Sequence, residues 1–480
     1  MSPPSSLFES FERLARQGPG RPALYECSGA LRSSRRALLS QAQIAARSLR
    51  DSGLRRGDPV LIHASGTSLV VSVLAVWARD GVALLADPQL TGCELRVIEK
   101  AFGPRFVVTS ASDGGLAVEA REIPRGASHQ PFPAGTAVIK LTSGSTGRPR
   151  GIAVTASQLL ADAQHIIDGM GIAPDDVNVA AIPMSHSYGL SSLLLLLLTQ
   201  GSPLLLVPLP LPDLLVEALS IDQPAVFPGV PYLFDLLARP DAPAFERRGL
   251  RLCVSAGAPL RANTAAAFRD RYGLSVRSFY GTSETGGLAF DASPDGDAAI
   301  AAEGCVGTAL PGVELSVVGE EGRVVARGAN VASGYIGPRG EMSDGEFRDP
   351  REFLTGDTGR LDAEGRLHLT GRLGARANVS GRKVDPREVE LALGDLDGVR
   401  DAVVGSTADD RRGESLVAYL VAEPRVTRAE VLSHLRSSLA SWKLPRDVVF
   451  LNALPRNARG KPDMRALSAA AARRTREADS

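Results

Sequence analysis

Net charge is absent from this sequence, where 54 Lys and Arg balance 54 Asp and Glu. No global field draws nucleic acid or an anionic membrane surface, so neither is expected as the main partner. Cysteine is scarce. The four cysteines, Cys27, Cys93, Cys253 and Cys305, show no CxxC pair and no metal-ligand spacing. That excludes a disulfide framework and fits a reduced, cytoplasmic setting. The opening stretch MSPPSSLFESFERLARQ lacks the apolar core of a secretory signal. An unbroken apolar run long enough to span a bilayer, about 20 residues, is lacking too. The nearest approach, GLSSLLLLLLTQGSPLLLVPLPLPDLL at 189–215, is broken by Thr199, Gln200 and Gly201 and then by prolines at 203, 208, 210 and 212. A buried helix ending near Gln200 and a short buried strand in SPLLLV are expected there, and no membrane span.

What is present is 480 residues, 44% hydrophobic and 22% charged, too long for one core and ordinary for a globular protein of two or more domains. Over the first 280 residues, short apolar runs (PVLIHA, VALLA, FVVTS, AVIKL, NVAAIP, PLLLV, RLCVSAG, VRSFYG) alternate with helical stretches such as SLVVSVLAVWARDG and ELRVIEKAFG. This alternation predicts layered α/β structure with largely parallel strands. After Gly281 the chain becomes strand-rich and glycine-punctuated, which predicts a smaller antiparallel or barrel-like β subdomain. The last hundred or so residues read as a separate α+β domain. Asp385, Pro386 and Glu388 supply N-cap, N1 and N3 signals for a helix. DAVVGSTAD and ESLVAYLVAE read as strands, and TRAEVLSHLRSSLA as a second helix. The tail ALSAAAARRTREADS reads as a frayed helix.

Five clusters carry chemistry. LTSGSTGRPRG at 141–151 follows an apolar strand and leads toward a helix. Its glycines let backbone N–H groups converge on an anion. Thr142, Ser143, Ser145 and Thr146 add hydroxyl donors, and Arg148 and Arg150 add charge. The anion with several oxygens that such a loop suits is a phosphate chain. The Walker pattern is not met, because no Lys-Ser/Thr follows the last glycine. FYGTSETGG at 279–287 places Glu284 among glycines and hydroxyls, where a carboxylate could share Mg²⁺ with a triphosphate. LTGDTGRLD presents Asp357, which could cap a turn or take both hydroxyls of a ribose. LTGRLGAR holds Arg372, and LPRNARGKPDMRAL holds Lys461 on a glycine-flanked loop.

TSGSTGRPRG, YGTSE, TGD, GR and GK occur in that order, and in this the chain resembles the superfamily of adenylate-forming enzymes: acyl- and aryl-CoA synthetases, adenylation domains of nonribosomal peptide synthetases, and firefly luciferases. The resemblance runs from about residue 20 to 470. It implies a large N-terminal domain of layered α/β subdomains with a small barrel-like β subdomain, residues 1–372, and a small mobile α+β domain, residues 373–480, that carries the catalytic lysine. It implies that a carboxylic acid and ATP give an acyl-adenylate and pyrophosphate. The acyl group then passes to the thiol of coenzyme A or of a phosphopantetheine arm on an acyl carrier protein. By resemblance Thr142, Ser143, Gly144, Ser145, Thr146 and Gly147 form the β,γ-phosphate loop. Thr282 and Glu284 take the phosphate and Mg²⁺ positions, and Tyr280 and Gly281 lie beside the adenine. Asp357 holds the ribose, Arg372 lies near the ribose and hinge, and Lys461 reaches the first-step site. Two departures concern the second step: Gly374 stands at the usual Asp or Lys hinge, and Asn378 stands where several relatives have lysine.

AIPMSHSYGLSSLLLLLL at 181–198 matches the segment that lines the acyl pocket, with His186, Ser187 and Tyr188 toward the acid, and SAGAPL contributes the small Gly257 and Ala258. A satisfied core histidine is the competing account of His186. No aspartate lies between 183 and 198 to meet an α-ammonium, which argues against ordinary amino acids. Ser187 replaces the asparagine that meets a 2-hydroxyl in aryl-acid activators, which argues against salicylate-like acids. An aryl or medium-chain acyl acid is expected, with a long fatty acid, a reaction ending at the adenylate, and lactone formation as alternatives. A phosphohydrolase releasing ADP, and a non-catalytic nucleotide binder, are the rivals from other classes.

Overall fold

The computed structural model describes residues 6–110, 116–120, 132–143, 149–293, 304–337, 342–343, 346–372, 377–409, 413–455 and 466–469. The chain divides into two compact units. The first comprises Met1–Pro88, Glu99–Leu141 and Arg150–Leu373; the second comprises Gln89–Ile98, Thr142–Pro149 and Gly374–Ser480.

Two large sheets build the first unit. One has nine strands, with Val276–Thr282, Leu250–Ser255, Ala225–Gly229, Val177–Ala180, Leu204–Leu206 and Pro22–Tyr25 in that spatial order and parallel. Antiparallel strands Gly286–Phe290 and Leu31–Ser34 flank this parallel run. The other has eight strands, with Thr136–Ser143, Val82–Leu85, Pro59–His63 and Phe106–Ser110 parallel at its centre. Strands such as Val82–Leu85 and Ala225–Gly229 are buried along their whole length, as expected where a parallel sheet is covered on both faces. Leu74, Val138, Leu197 and Phe227 belong to one continuous core. The helix Gly66–Trp77 is buried nearly all round, so it reads in the sequence as a plain apolar run.

The strand Pro149–Thr155 was not apparent in the sequence, where GIAVT reads as the lead into a helix. The helix proper is Ala156–Met170, begun by a Thr155–Gln158 capping box and ended at Gly171 in the left-handed region. The leucine-rich segment is helical from 187 to 199, followed by the strand Leu204–Leu206. Among the described residues no helix is long and apolar enough to cross a membrane. The helical run contains a π-turn, Leu190–Leu194, between α-helical ends, a feature common at functional sites. The glycine-punctuated region forms an antiparallel sheet of Val313–Val318, Arg323–Gly328, Glu352–Leu361, Phe347–Asp349 and Leu367–Arg372.

In the second unit the helix Pro386–Gly394 starts directly after Asp385, and Arg428–Ser438 is begun by a Thr427–Glu430 capping box. They accompany the paired strands Val399–Asp409 and Gly413–Ala422. Val389, Leu393, Leu416, Leu420, Val431 and Leu435 form the core between them. A short hairpin, Ala377–Val379 with Arg382–Val384, and the parallel strand Asp447–Phe450 complete the sheet. Of the C-terminal tail only 466–469 is described, as helix.

Candidate active site

The strand Val276–Thr282 ends in the loop that carries Glu284, and three neighbouring segments fix that loop. Asn330 Nδ2 donates to the Thr285 and Gly287 carbonyls, both at 2.8 Å. The Ala332 N–H donates to the Glu284 carbonyl at 2.8 Å, and Lys140 Nζ donates to the Ser283 carbonyl at 3.1 Å. Gly286 has φ +73°, and a Cβ there would lie 2.2 Å from Asp162 Oδ2. Both its conformation and the space around it therefore require glycine. Asp162 is buried and takes the Ser191 hydroxyl at 2.5 Å and the Gly287 N–H at 2.8 Å. Burial raises the pKa of its carboxyl, against the pull of Lys140.

Glu284 is 6% exposed. Its Oε1 accepts from Tyr335 Oη at 3.1 Å. The Arg150 guanidinium lies over the Tyr335 ring, 3.4 Å from its centroid, a cation–π arrangement. Burial, then the Glu284 charge, raises the Tyr335 pKa, so the phenol stays a donor. Thr282 is buried and its hydroxyl is 3.1 Å from that of Thr285. It faces inward, whereas the next residue, Ser283, is half-buried.

Tyr280 and Asp357 meet. Tyr280 Oη donates to Asp357 Oδ2 at 2.8 Å, and both residues are buried. The Asp357 N–H donates to Thr355 Oγ1 at 3.2 Å. Arg372 is the Cα partner of Asp357 across the antiparallel strands. Pairing of the TGD and GR segments thus sets two motifs side by side that lie 15 residues apart in the chain.

The acyl segment carries His186, whose Nε2 is 2.5 Å from Asp87 Oδ2. Asp87 is 5% exposed, just beyond the strand Val82–Leu85, and the histidine side chain is 36% exposed. A partly open imidazole oriented by a buried carboxylate differs from a satisfied core histidine. Ser187 Oγ accepts from Lys140 Nζ at 3.0 Å. Tyr188 Oη donates to the Val254 carbonyl at 3.0 Å, and its ring centroid is 5.7 Å from that of Phe279. Gly257, φ +87°, and Ala258 follow the strand Leu250–Ser255 in a more exposed turn.

The structure thus brings Tyr280, Asp357 and the Arg372 backbone together, and links Ser187 to the Glu284 loop through Lys140. Thr142 and Ser143 end a strand. Gly144, Ser145, Thr146, Gly147, Gly374 and Lys461 lie outside the described residues. The sequence reading missed Lys140, Asp87, Asp162 and Tyr335. Among the described residues no group of three or more His, Cys, Asp or Glu could hold a metal. Mg²⁺ on a nucleotide needs only one or two carboxylates beside the phosphates, and Glu284, buried and oriented, fits that need.

Residues 11–336 match the AMP-binding enzyme family, and residues 388–461 match the AMP-binding enzyme C-terminal domain. The chain is 32% identical over 330 residues to a (7a-methyl-1,5-dioxo-octahydro-1H-inden-4-yl)propanoyl:CoA ligase of Rhodococcus jostii, a match covering 67% of this chain and 63% of that protein. It is 26% identical over 430 residues to a 2-succinylbenzoate–CoA ligase of Enterococcus faecalis, covering 84% and 86%. The solved structure of an amide bond synthetase from Marinactinospora thermotolerans superimposes with a TM-score of 0.82 at 25% identity, covering 96% of this chain and 99% of that one. With the site geometry and these matches in agreement, the chain belongs to the AMP-binding enzyme family.

Proposed function

We propose that the protein activates a carboxylic acid with ATP, forming an acyl-adenylate and pyrophosphate, and then transfers the acyl group to the thiol of coenzyme A. The observation that carries this is the Tyr280–Asp357 pair at 2.8 Å, set beside the buried Glu284 in one strand–loop unit. Residues 1–372 would bind nucleotide and acid, and 373–480 would form the moving lid. Tyr280 would stack on the adenine, with Gly281 beside it, and Asp357 would accept from the ribose hydroxyls. Arg372, the strand partner of Asp357, would lie near the ribose. Thr142 to Gly147 would cradle the β- and γ-phosphates, and Mg²⁺ bound at Glu284 would offset their charge. Thr282, its hydroxyl 3.1 Å from that of Thr285, would take a phosphate oxygen beside Glu284.

The acid would lie along His186, Ser187 and Tyr188, with Gly257 and Ala258 at its side. Its carboxylate attacks the α-phosphorus, so the protein's task is mainly orientation and charge neutralisation. The ligase relatives are named for ring-bearing acids and also for a long-chain fatty acid, so an aryl or medium-chain acyl acid is kept as the reading with a long fatty chain as its alternative. Likeness to an amide bond synthetase over almost the whole chain, together with Asn378 at a position where several relatives have lysine, favours one second reading, in which an amine accepts the acyl group.

Pyrophosphate release would be measured with ATP and Mg²⁺ over benzoates, cinnamate and graded fatty acids, with coenzyme A, an amine, an acyl carrier protein or no acceptor. Release triggered by one acid and accelerated by coenzyme A is the expected result. Acceleration by amine alone selects the second reading, and ADP formation in place of pyrophosphate sinks both.

Two substitutions probe the site. Asp357→Ala removes the ribose acceptor and the carboxylate to which Tyr280 Oη donates. The KM for ATP should rise about 10- to 100-fold, the range for losing a charge-assisted hydrogen bond, with little change in the KM for the acid. Asp87→Asn keeps the size of the side chain but removes the negative charge that orients the His186 ring. The turnover number should fall about tenfold with the KM for ATP unchanged. A change in ATP affinity alone would remove Asp87 from the positioning of His186.

A further inference from the structure

Lys140 follows the buried apolar run Ala137–Ile139 in its strand and is itself 6% exposed. Its ammonium donates to Ser187 Oγ at 3.0 Å and to the Ser283 carbonyl at 3.1 Å. An ammonium carries three donors, and among the described residues these two acceptors are its partners. The two carboxylates that act on it through the field, Asp162 and Glu284, are each engaged elsewhere: Asp162 by Ser191 and Gly287, and Glu284 by Tyr335. Burial lowers the Lys140 pKa and the two carboxylates raise it. A buried cation whose third donor has no partner among the described residues is costly unless something completes its coordination. A methionine or leucine would fill the same strand position without that cost. The Lys140 ammonium touches a hydroxyl of the acyl segment, one residue after the imidazole held by Asp87.

We propose that Lys140 is a specificity-determining residue whose ammonium, together with the Ser187 hydroxyl, binds a second electronegative group of the acid substrate, a carboxylate or ketone oxygen distinct from the carboxyl group that is activated. This inference rests on the acid lying along residues 186–188. Neutral donors such as Ser187 accept a hydroxyl or carbonyl equally well, but a buried ammonium prefers an acceptor with negative charge and penalises an apolar group set against it. The competing account is a structural tie between the acyl segment and the Glu284 loop. Such a tie predicts equal losses on all acids.

The test compares matched acids in the pyrophosphate assay: benzoate with 3- and 4-carboxybenzoate and 4-acetylbenzoate, and hexanoate with adipate and 5-oxohexanoate. The readout is kcat/KM for each substituted acid divided by that of its parent. The wild-type ratio should exceed one for at least one pair. In Lys140→Met that ratio should fall about 10- to 100-fold, as for the loss of one charge-assisted hydrogen bond. Lys140→Gln should retain more of the ketone preference than of the carboxylate preference. ATP-induced thermal shifts confirm that both variants are folded. Ratios below one for every wild-type pair, or equal losses on parent and substituted acids in both variants, overturn the inference. If wild type releases no pyrophosphate with any acid, the adenylation reading itself falls, an outcome distinct from an unaltered ratio.

Discussion

Replacing Lys461 by alanine should reduce pyrophosphate release about 10²- to 10³-fold, the loss typical when one preorganised donor to a developing oxyanion is removed. The attack of a carboxylate on the α-phosphorus needs little proton transfer. The barrier lies in bringing two anions together and in the charge that builds on the phosphoryl oxygens, and a lysine ammonium answers both. Binding of a stable acyl-adenylate analogue should remain measurable, because the groups assigned to adenine and ribose are untouched. Normal pyrophosphate release by Lys461→Ala would remove this lysine from the chemistry.

Glu284→Gln should lower adenylation about 10²-fold and raise the Mg²⁺ concentration needed for half-maximal rate, with the protein still folded. The substitution is isosteric, and the Tyr335 hydroxyl that donates to Glu284 Oε1 can donate equally to an amide oxygen. The Asn330 and Ala332 hydrogen bonds to this loop end on backbone carbonyls and survive as well. What disappears is one negative charge at a buried site. A rate loss that excess Mg²⁺ restores in part would locate the effect at the metal. An unchanged Mg²⁺ dependence would assign Glu284 to loop structure alone.

The alternation of strands and helices was legible because buried parallel strands are short apolar runs with turn residues between them. The two C-terminal helices announce themselves by capping residues. The strand Pro149–Thr155 was hidden because it opens on the proline, arginine and glycine of PRG and runs directly into a helix, so that its few apolar residues look like the helix's first turn. The hairpin at Ala377–Val379 was hidden because its turn uses Ser380 at φ +53° and Gly381 at φ +82°. The flanking three-residue strands are too short to show a period. At the site, motif residues were visible and their supports were not. Lys140 is 47 residues from Ser187 and 143 from Ser283, and Tyr335 is 51 from Glu284. No local spacing encodes such pairs. The one signal available was a lysine in the apolar run AVIKL, an unusual place for a charge.

The π-turn at Leu190–Leu194 separates two parts of the acyl segment that a regular helix would keep in step. In an α-helix each residue advances the side-chain direction by roughly 100°, so one additional residue in a turn resets the angular phase between the Ser187 end and the leucines at 195–198. Those leucines are fully buried, while Ser187 and Tyr188 remain partly open. Residue number within this segment is therefore constrained more tightly than residue identity. One leucine can stand for another hydrophobe of similar volume, but excising one would rotate the polar end away from Lys140 and Val254 while the apolar end stayed seated.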